Sequence, residues 1–213
     1  MVNNLILRII SAIVMIGIIL ISFQTGVLFR SFMLICIGLM IYEWTTINKN
    51  KKTPLFVFGL LYILIPILFW IVFSKNHNFI DTIDSIFWCF LIVWSCDIFA
   101  YFGGKLFKGP KFAPKISPNK TWSGVICGGI AAFIISYFYI ECVFEYNKIE
   151  LVFASLFMII ASILGDLLES KVKRVLQVKD TSNIIPGHGG ICDRLDSFLL
   201  VTYAYIIIKY ILL

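Results

Sequence analysis

The chain has 213 residues, 60% hydrophobic and 14% charged, with a formal net charge of +6 and a mean hydropathy of +0.96. Soluble globular domains are about 45–50% apolar and about 25% charged, so that class is excluded. The positive charge does not point to nucleic acid, because it sits in short segments between apolar runs.

In chain order, residues 9–29 contain no Asp, Glu, Lys or Arg and match the ~20 apolar residues that cross a hydrocarbon core. A signal peptide would show a small-residue cleavage site. This run has no clear one and leads straight into more apolar sequence, so it is read as a retained anchor. Residues 27–45 follow with Arg30 and Glu43, then 53–74 with no charge, then 83–102 with Asp84 and Asp97. Residues 121–140 are again free of charge, 149–168 carry Glu150 and Asp166, and 195–213 carry Asp196 and Lys209. The reading is a single all-α domain over residues 1–213, a polytopic membrane protein of about seven spans with a cytoplasm-facing polar cavity.

Threading those spans from an inner N-terminus sorts the charges. Inner loops hold Lys49, Lys51 and Lys52, then Lys105, Lys108, Lys111, Lys115 and Lys120, then Lys171, Lys173, Arg174, Lys179 and Arg194. Outer loops keep Lys75 and Lys148 beside Asp81, Asp84, Glu141, Glu145 and Glu150. That asymmetry obeys the positive-inside rule. Cysteines 36, 89, 96, 127, 142 and 192 lie scattered, without Cys-x-x-Cys spacing, so neither a disulfide framework nor a zinc site is expected.

Two inner connections, 103–120 and 169–194, hold most of the Gly, Pro, Lys and Asp and lie on one face of the membrane. Asp97 falls about five residues before the inner end of its span, ~8 Å deep at a helical rise of 1.5 Å per residue. Asp166 and Asp196 lie near the inner ends of theirs. A carboxylate at such depth is expensive and faces a cavity, a cation or a partner. The expectation is that Asp97, Asp166 and Asp193 gather around a shared cation at the inner boundary.

In "GDLLESKVKR", residues 165–174, a helix running on into the loop places Asp166, Glu169, Ser170 and Lys173 at i, i+3, i+4 and i+7, on one face. Two carboxylates, a hydroxyl and an ammonium in one stripe suit Mg²⁺ and the phosphate it neutralises; an amphipathic helix end with Glu–Lys pairs is the plainer alternative. In "DRLDS", residues 193–197, Asp193, Asp196 and Ser197 again share a face. Dipole capping accounts for one Asp at a helix start, but not for Arg194 between two. The preceding "PGHGG" lets backbone amides approach an anion. There His188 can bond a phosphate oxygen, shuttle a proton or hold the loop. The basic stretch "GGKLFKGPKFAPKISPNKTWSG", residues 103–124, goes beyond a loop that merely attracts anionic lipid. It adds the hydroxyls of Ser117 and Thr121 and the point charge of Lys120, with Trp122 as an interfacial anchor. Carboxylates, cations and glycine amides on one membrane face are the parts of a phosphoryl-transfer site, where positioning and charge neutralisation do most of the catalysis. A site open to the bilayer implies a phosphorylated lipid and a soluble, metal-bound polyphosphate.

Ser170, Lys173, Arg174, Lys179, Asp180, Ser182, Pro186, His188, Gly189, Gly190, Asp193, Arg194 and Asp196 resemble the signature of the phosphatidate cytidylyltransferases. "SPNKTWSG" and "DIFAYFGGKLF" are similar to that family's two upstream motifs. The resemblance implies a nucleotidyltransferase that converts CTP and phosphatidic acid to CDP-diacylglycerol and pyrophosphate, with Mg²⁺ required and a second metal or monovalent cation left open. It implies metal binding by Asp166 and Asp193, supported by Asp196 and Asp97, and catalysis by these acids with Lys173, Arg174 and His188. Substrate contacts fall to Ser117, Lys120, Thr121, Lys179, Asp180, Gly189, Gly190 and Arg194. A homodimer in a bacterial inner membrane, with N-terminus and site cytoplasmic, is also implied. The chain departs from the family at Ser123, where an acid is usual, and it is short for the family. The rival readings are a CTP-dependent polyprenol-type lipid kinase of related sequence and a cation transporter built on Asp97 and Asp166. A CDP-alcohol phosphotransferase is disfavoured, because its Asp-x-x-Asp-Gly…Asp-x-x-x-Asp pattern is missing.

Overall fold

The computed structural model describes residues 2–48, 54–144 and 148–211; Lys49, Lys51, Lys52 and Glu145 of the charge pattern lie outside them. Its elements are α1 (Val2–Ser22), α2 (Gly26–Ile47), α3 (Pro54–Asn76), α4 (Phe79–Phe107), β1 (Lys111–Ala113), β2 (Ser117–Thr121), α5 (Trp122–Val143), α6 (Lys148–Val175) and α7 (Cys192–Ile211). Each predicted span therefore has its helix, and the protein is an all-α polytopic membrane protein. Among the described residues, five helices (α2 to α6) are long and apolar enough to cross a bilayer. α7 carries Asp193, Arg194, Asp196 and Lys209, which dilute its apolar stretch.

The chain forms two compact units, residues 1–83 with 173–195, and residues 84–172 with 196–213. In the first, α2 and α3 pack through Phe29, Met33, Met40, Trp44, Ile63, Ile67 and Trp70, all buried. The Trp44 indole lies flat against Gly59, where a Cβ would come within 2.1 Å of the ring. Its Nε1–H donates to the Phe56 carbonyl at 2.9 Å, so the ring is fixed at both ends.

The second unit is held by a buried hydroxyl ladder inside an apolar core. Trp88 Nε1–H of α4 donates to Ser136 Oγ of α5 at 2.7 Å, and Ser136 bonds Ser155 of α6 at 2.7 Å. Tyr205 of α7 donates to Ser85 of α4 at 2.9 Å. Around these lie Ile92, Ile140, Met158, Val201 and Ile208, fully or almost fully buried. Polar groups in an apolar interior are costly unless paired, and here they are paired helix to helix. Leu34, Ile35, Phe58, Leu61, Ile126, Ile130 and Phe153 are exposed, as side chains that face acyl chains must be.

The structure corrects the basic stretch in two ways. Gly103 to Phe107 belong to α4, not to a turn. A Cβ on Gly103 would lie 2.5 Å from the Cys127 Cβ, and one on Gly104 2.8 Å from the Thr121 Oγ1. These glycines allow α4 to approach its neighbours closely, so they do not break the helix. The stretch after them is a two-stranded antiparallel hairpin with Lys111 opposite Thr121 and Ala113 opposite Ser117. Lys108 and Gly109 start its approach with φ of 54° and 107°. Ser117, Lys120 and Thr121 therefore stand on a strand rather than on an irregular loop.

Candidate active site

In the second unit a cavity of about 490 Å³ is lined by Cys96, Asp97, Tyr101, Lys105, Asn119, Lys120, Thr121, Ser162 and Asp166, with small residues of α4 and α5 between them. Such a volume lies in the range of small-ligand pockets. The Lys120 ammonium on β2 forms an ion pair with the Asp166 carboxylate on α6. Ser170, one turn later, donates to Asp166 Oδ1 at 3.4 Å, so the predicted i, i+4 face of α6 is present. Thr121 ends β2 as the N-cap of α5, its hydroxyl accepting from the Gly124 amide at 3.2 Å. It also bonds the Ser123 hydroxyl at 3.0 Å. Ser123, where the resemblance leads one to expect an acid, donates to the Lys108 carbonyl. Trp122 is half-exposed and packs edge-on against Phe112, ring centres 4.7 Å apart.

In the first unit, residues 176–191 fold back onto the start of α7 around two carboxylates. Asp193 Oδ2 accepts from the Thr181 amide at 2.9 Å, the Thr181 hydroxyl at 3.0 Å and the Gly190 amide at 2.9 Å. Its Oδ1 accepts from the Lys173 ammonium at 3.0 Å. Burial pushes the Asp193 carboxyl up. The Gly190 and Thr181 amides and the Lys173 ammonium outweigh it, so the group is held below the usual carboxylate range. The second carboxylate is Glu43 of α2, wholly buried. It accepts from the Ser182 hydroxyl at 2.6 Å, the Ile191 amide at 2.8 Å, the Cys192 amide at 2.9 Å and the Thr181 hydroxyl at 3.1 Å. His188 is half-buried, and its Nδ1 lies 2.8 Å from the Ser11 hydroxyl of α1.

Comparison with known proteins decides the family. The profile described as "Cytidylyltransferase family" matches residues 51–212. The chain belongs to the cytidylyltransferase family. It is 42% identical to the phosphatidate cytidylyltransferase of Rickettsia bellii, over 93% of this chain and 87% of that one. It is 37% identical to the enzyme of that name in Rickettsia conorii, over 97% and 92%. With the Haemophilus influenzae enzyme of that name it shares 43% identity over 57% of this chain and 44% of the other.

Within this cytidylyltransferase the predicted residues fall into two sets. Asp97, Lys120, Thr121 and Asp166 line the cavity, while Lys173, His188, Gly190 and Asp193 belong to the first unit. Lys179, Asp180, Arg174 and Arg194 are exposed and Ser117 is part-buried. Asp196 Oδ1 accepts from the neighbouring Ser197 amide at 2.6 Å. Gly187 and Gly189 take φ of 76° and 84°, as a tight turn requires. The Gly190, Ile191 and Cys192 amides, however, point at Asp193 and Glu43. The glycines here allow carboxylates of the protein itself to approach.

Among the described residues no three His, Cys, Asp or Glu side chains stand together to hold a metal ion. The pair Asp97 and Asp166 at the cavity wall fits Mg²⁺ nonetheless, because that ion is usually bound by one or two carboxylates plus substrate phosphates and water. Asp193 Oδ1 has the Lys173 side-chain ammonium as its partner, whereas Oδ2 faces the Thr181 amide and hydroxyl and the Gly190 amide. Glu43 is the residue that sequence reasoning missed. The signal was available, since a lone acid in an apolar span is as costly as Asp97. It lies far in sequence from every motif.

Proposed function

We propose that this cytidylyltransferase transfers the cytidylyl group of CTP to phosphatidic acid, releasing pyrophosphate and leaving CDP-diacylglycerol in the membrane. The observation that carries this is the cavity in which Lys120 sits on Asp166 beside Asp97, in a chain of this family. A phosphate monoester has a second pKa of about 6, so phosphatidate is a dianionic nucleophile near neutral pH and needs no strong general base. The residues have two tasks: to hold the reacting phosphates in line, and to neutralise charge that moves onto the leaving group.

Asp97 and Asp166 would hold Mg²⁺; Asp193 and Asp196 are the further acids assigned to metal by the resemblance. The ion supplies charge neutralisation at the polyphosphate. Lys120, released from Asp166 when an anion or cation competes for either partner, binds a phosphate oxygen, and Lys105 lies on the same wall. Lys173, Arg174, Lys179 and Arg194 are the cations assigned to the remaining phosphate charge, with Ser117, Asp180, Gly189 and Gly190 shaping the nucleotide contacts. His188, its Nδ1 engaged by Ser11, presents Nε2 to a substrate oxygen. The charge asymmetry of the loops supports an inner-membrane protein with a cytoplasmic site, and the relatives named above are bacterial. We also assign a homodimer.

The test is mass-spectrometric detection of CDP-lipid from purified protein, phosphatidate, CTP and Mg²⁺, with and without chelator, alongside CTP labelled at the α- or the γ-phosphorus. The expected result is Mg²⁺-dependent transfer of the α label into lipid. Transfer of the γ label instead would make the protein a lipid kinase.

A further inference from the structure

We propose that Glu43 is a positioning residue for the reaction, fixing both ends of the segment 181–192 to α2 so that Asp193 presents Oδ1 alone. Among the described residues, Glu43 reaches those assigned to substrate through that segment. Its Oε1 takes Ser182 and Ile191; its Oε2 takes Thr181 and Cys192. Thr181 and Ser182 precede the His188 turn, and Ile191 and Cys192 follow it. One carboxylate therefore closes the turn at its base.

Three further observations support this. The donors that reach Glu43 in the structure are two amides and two hydroxyls, an arrangement that fixes direction as a lone ammonium would not. The carboxylate is fully buried, so water does not compete for those donors. Thr181 is shared: its amide donates to Asp193 and its single hydroxyl lies within hydrogen-bond reach of both carboxylates, and a Cβ on Gly190 would lie 2.7 and 2.8 Å from the Glu43 oxygens and 2.0 Å from the Thr181 hydroxyl. The Glu43 carboxylate and the Asp193 Oδ2 thus meet at Thr181, while Gly190, bonded to Asp193, lies close against Glu43. Loss of Glu43 releases the Ser182 and Thr181 hydroxyls and the Ile191 and Cys192 amides, and so loosens the segment whose Thr181 and Gly190 amides orient Asp193.

The inference rests on the reaction proposed above, and its test separates the two. Full-length protein in nanodiscs would be compared as wild type, Glu43→Gln and Ser182→Ala by backbone hydrogen exchange and by steady-state kinetics with CTP and phosphatidate. The expected result for Glu43→Gln is exchange at least tenfold faster in peptides covering 181–192, with α3 and α5 peptides unchanged. kcat should fall at least tenfold while KM for CTP moves less than threefold. Ser182→Ala removes one donor without burying a mismatch, and should give a smaller change of the same kind. If Glu43→Gln does not fold, Ser182→Ala alone decides. Unchanged exchange in 181–192, or faster exchange spread over all helices, overturns the proposal, as does an unchanged kcat with a loosened segment. A wild-type protein that makes no CDP-lipid sinks the reaction, yet the exchange comparison still reports on the tether.

Discussion

Asp193 and Lys120 are both engaged in ion pairs, yet their surroundings assign them different sensitivities. Asp193 takes three fixed donors on one oxygen and an ammonium on the other, and asparagine in its place keeps the shape but loses the charge. Asp193→Asn should therefore abolish CDP-lipid synthesis while membrane insertion, followed by fractionation, is retained. His188→Ala should lose less, because among the described residues the histidine's ring partner is the Ser11 hydroxyl. Near-normal activity in the Asp193 variant would remove it from the reaction. Gly190→Ala tests the packing below it. A methyl group 2.0 Å from the Thr181 hydroxyl forces the segment apart, and overpacking of this kind costs about 1–3 kcal/mol. A lowered melting temperature together with loss of turnover is expected.

Helix contacts set the cavity at the scale of elements. α5 approaches α4 through Gly124 and Gly128, where an added Cβ would lie 2.6 Å from the Ala100 and Cys96 carbonyls. Small residues four apart are how helices approach closely in lipid. Gly128→Val should separate α4 from α5 and disturb the wall that carries Asp97. Measured as a reduced yield of folded protein in detergent, the effect should exceed that of Gly129→Ala, whose nearest neighbour would be a methyl at 3.7 Å. Equal yields would show that the glycine pair does not set the helix spacing. The hairpin works differently. Its second strand ends directly in the N-cap Thr121, so the position of Lys120 is fixed by the start of α5 rather than by the hairpin itself.

For the whole molecule, the charge pattern makes a claim about sidedness. Lys115 sits in the turn between β1 and β2 and is exposed. In a background from which the exposed Cys142 has been removed, Lys115→Cys should react with a membrane-impermeant maleimide in inverted vesicles and not in intact spheroplasts. Labelling in spheroplasts would reverse the topology and place the cavity on the outer side. The positive-inside rule is a rule about insertion energetics rather than about catalysis, so this experiment stands apart from any assay of turnover.

The spans were legible in the sequence because an apolar run of bilayer length has few other solutions. The run of α6 past its apolar stretch was legible too, because Asp166, Glu169, Ser170 and Lys173 keep helical spacing through Lys173. The sequence places Lys120 in an inner loop and Asp166 near the inner end of its span; which lysine met which acid depended on the hairpin that turns β2 into α5. Glycines 103 and 104 open the stretch read as an inner connection yet belong to α4, since the same residue serves a bend and a close helix contact, and only the neighbour decides. Glu43 shows the limit most clearly. Its cost in an apolar span is a property of one residue and can be read from composition, but its partners lie about 140–150 positions away. Composition and periodicity thus determined class, spans and the parts of a phosphoryl-transfer site, because these follow from transfer free energies and local spacing, while the particular reaction rested on the family resemblance. The tertiary structure alone decided which donors each buried carboxylate receives, because hydrogen bonds depend on distances that no local pattern encodes.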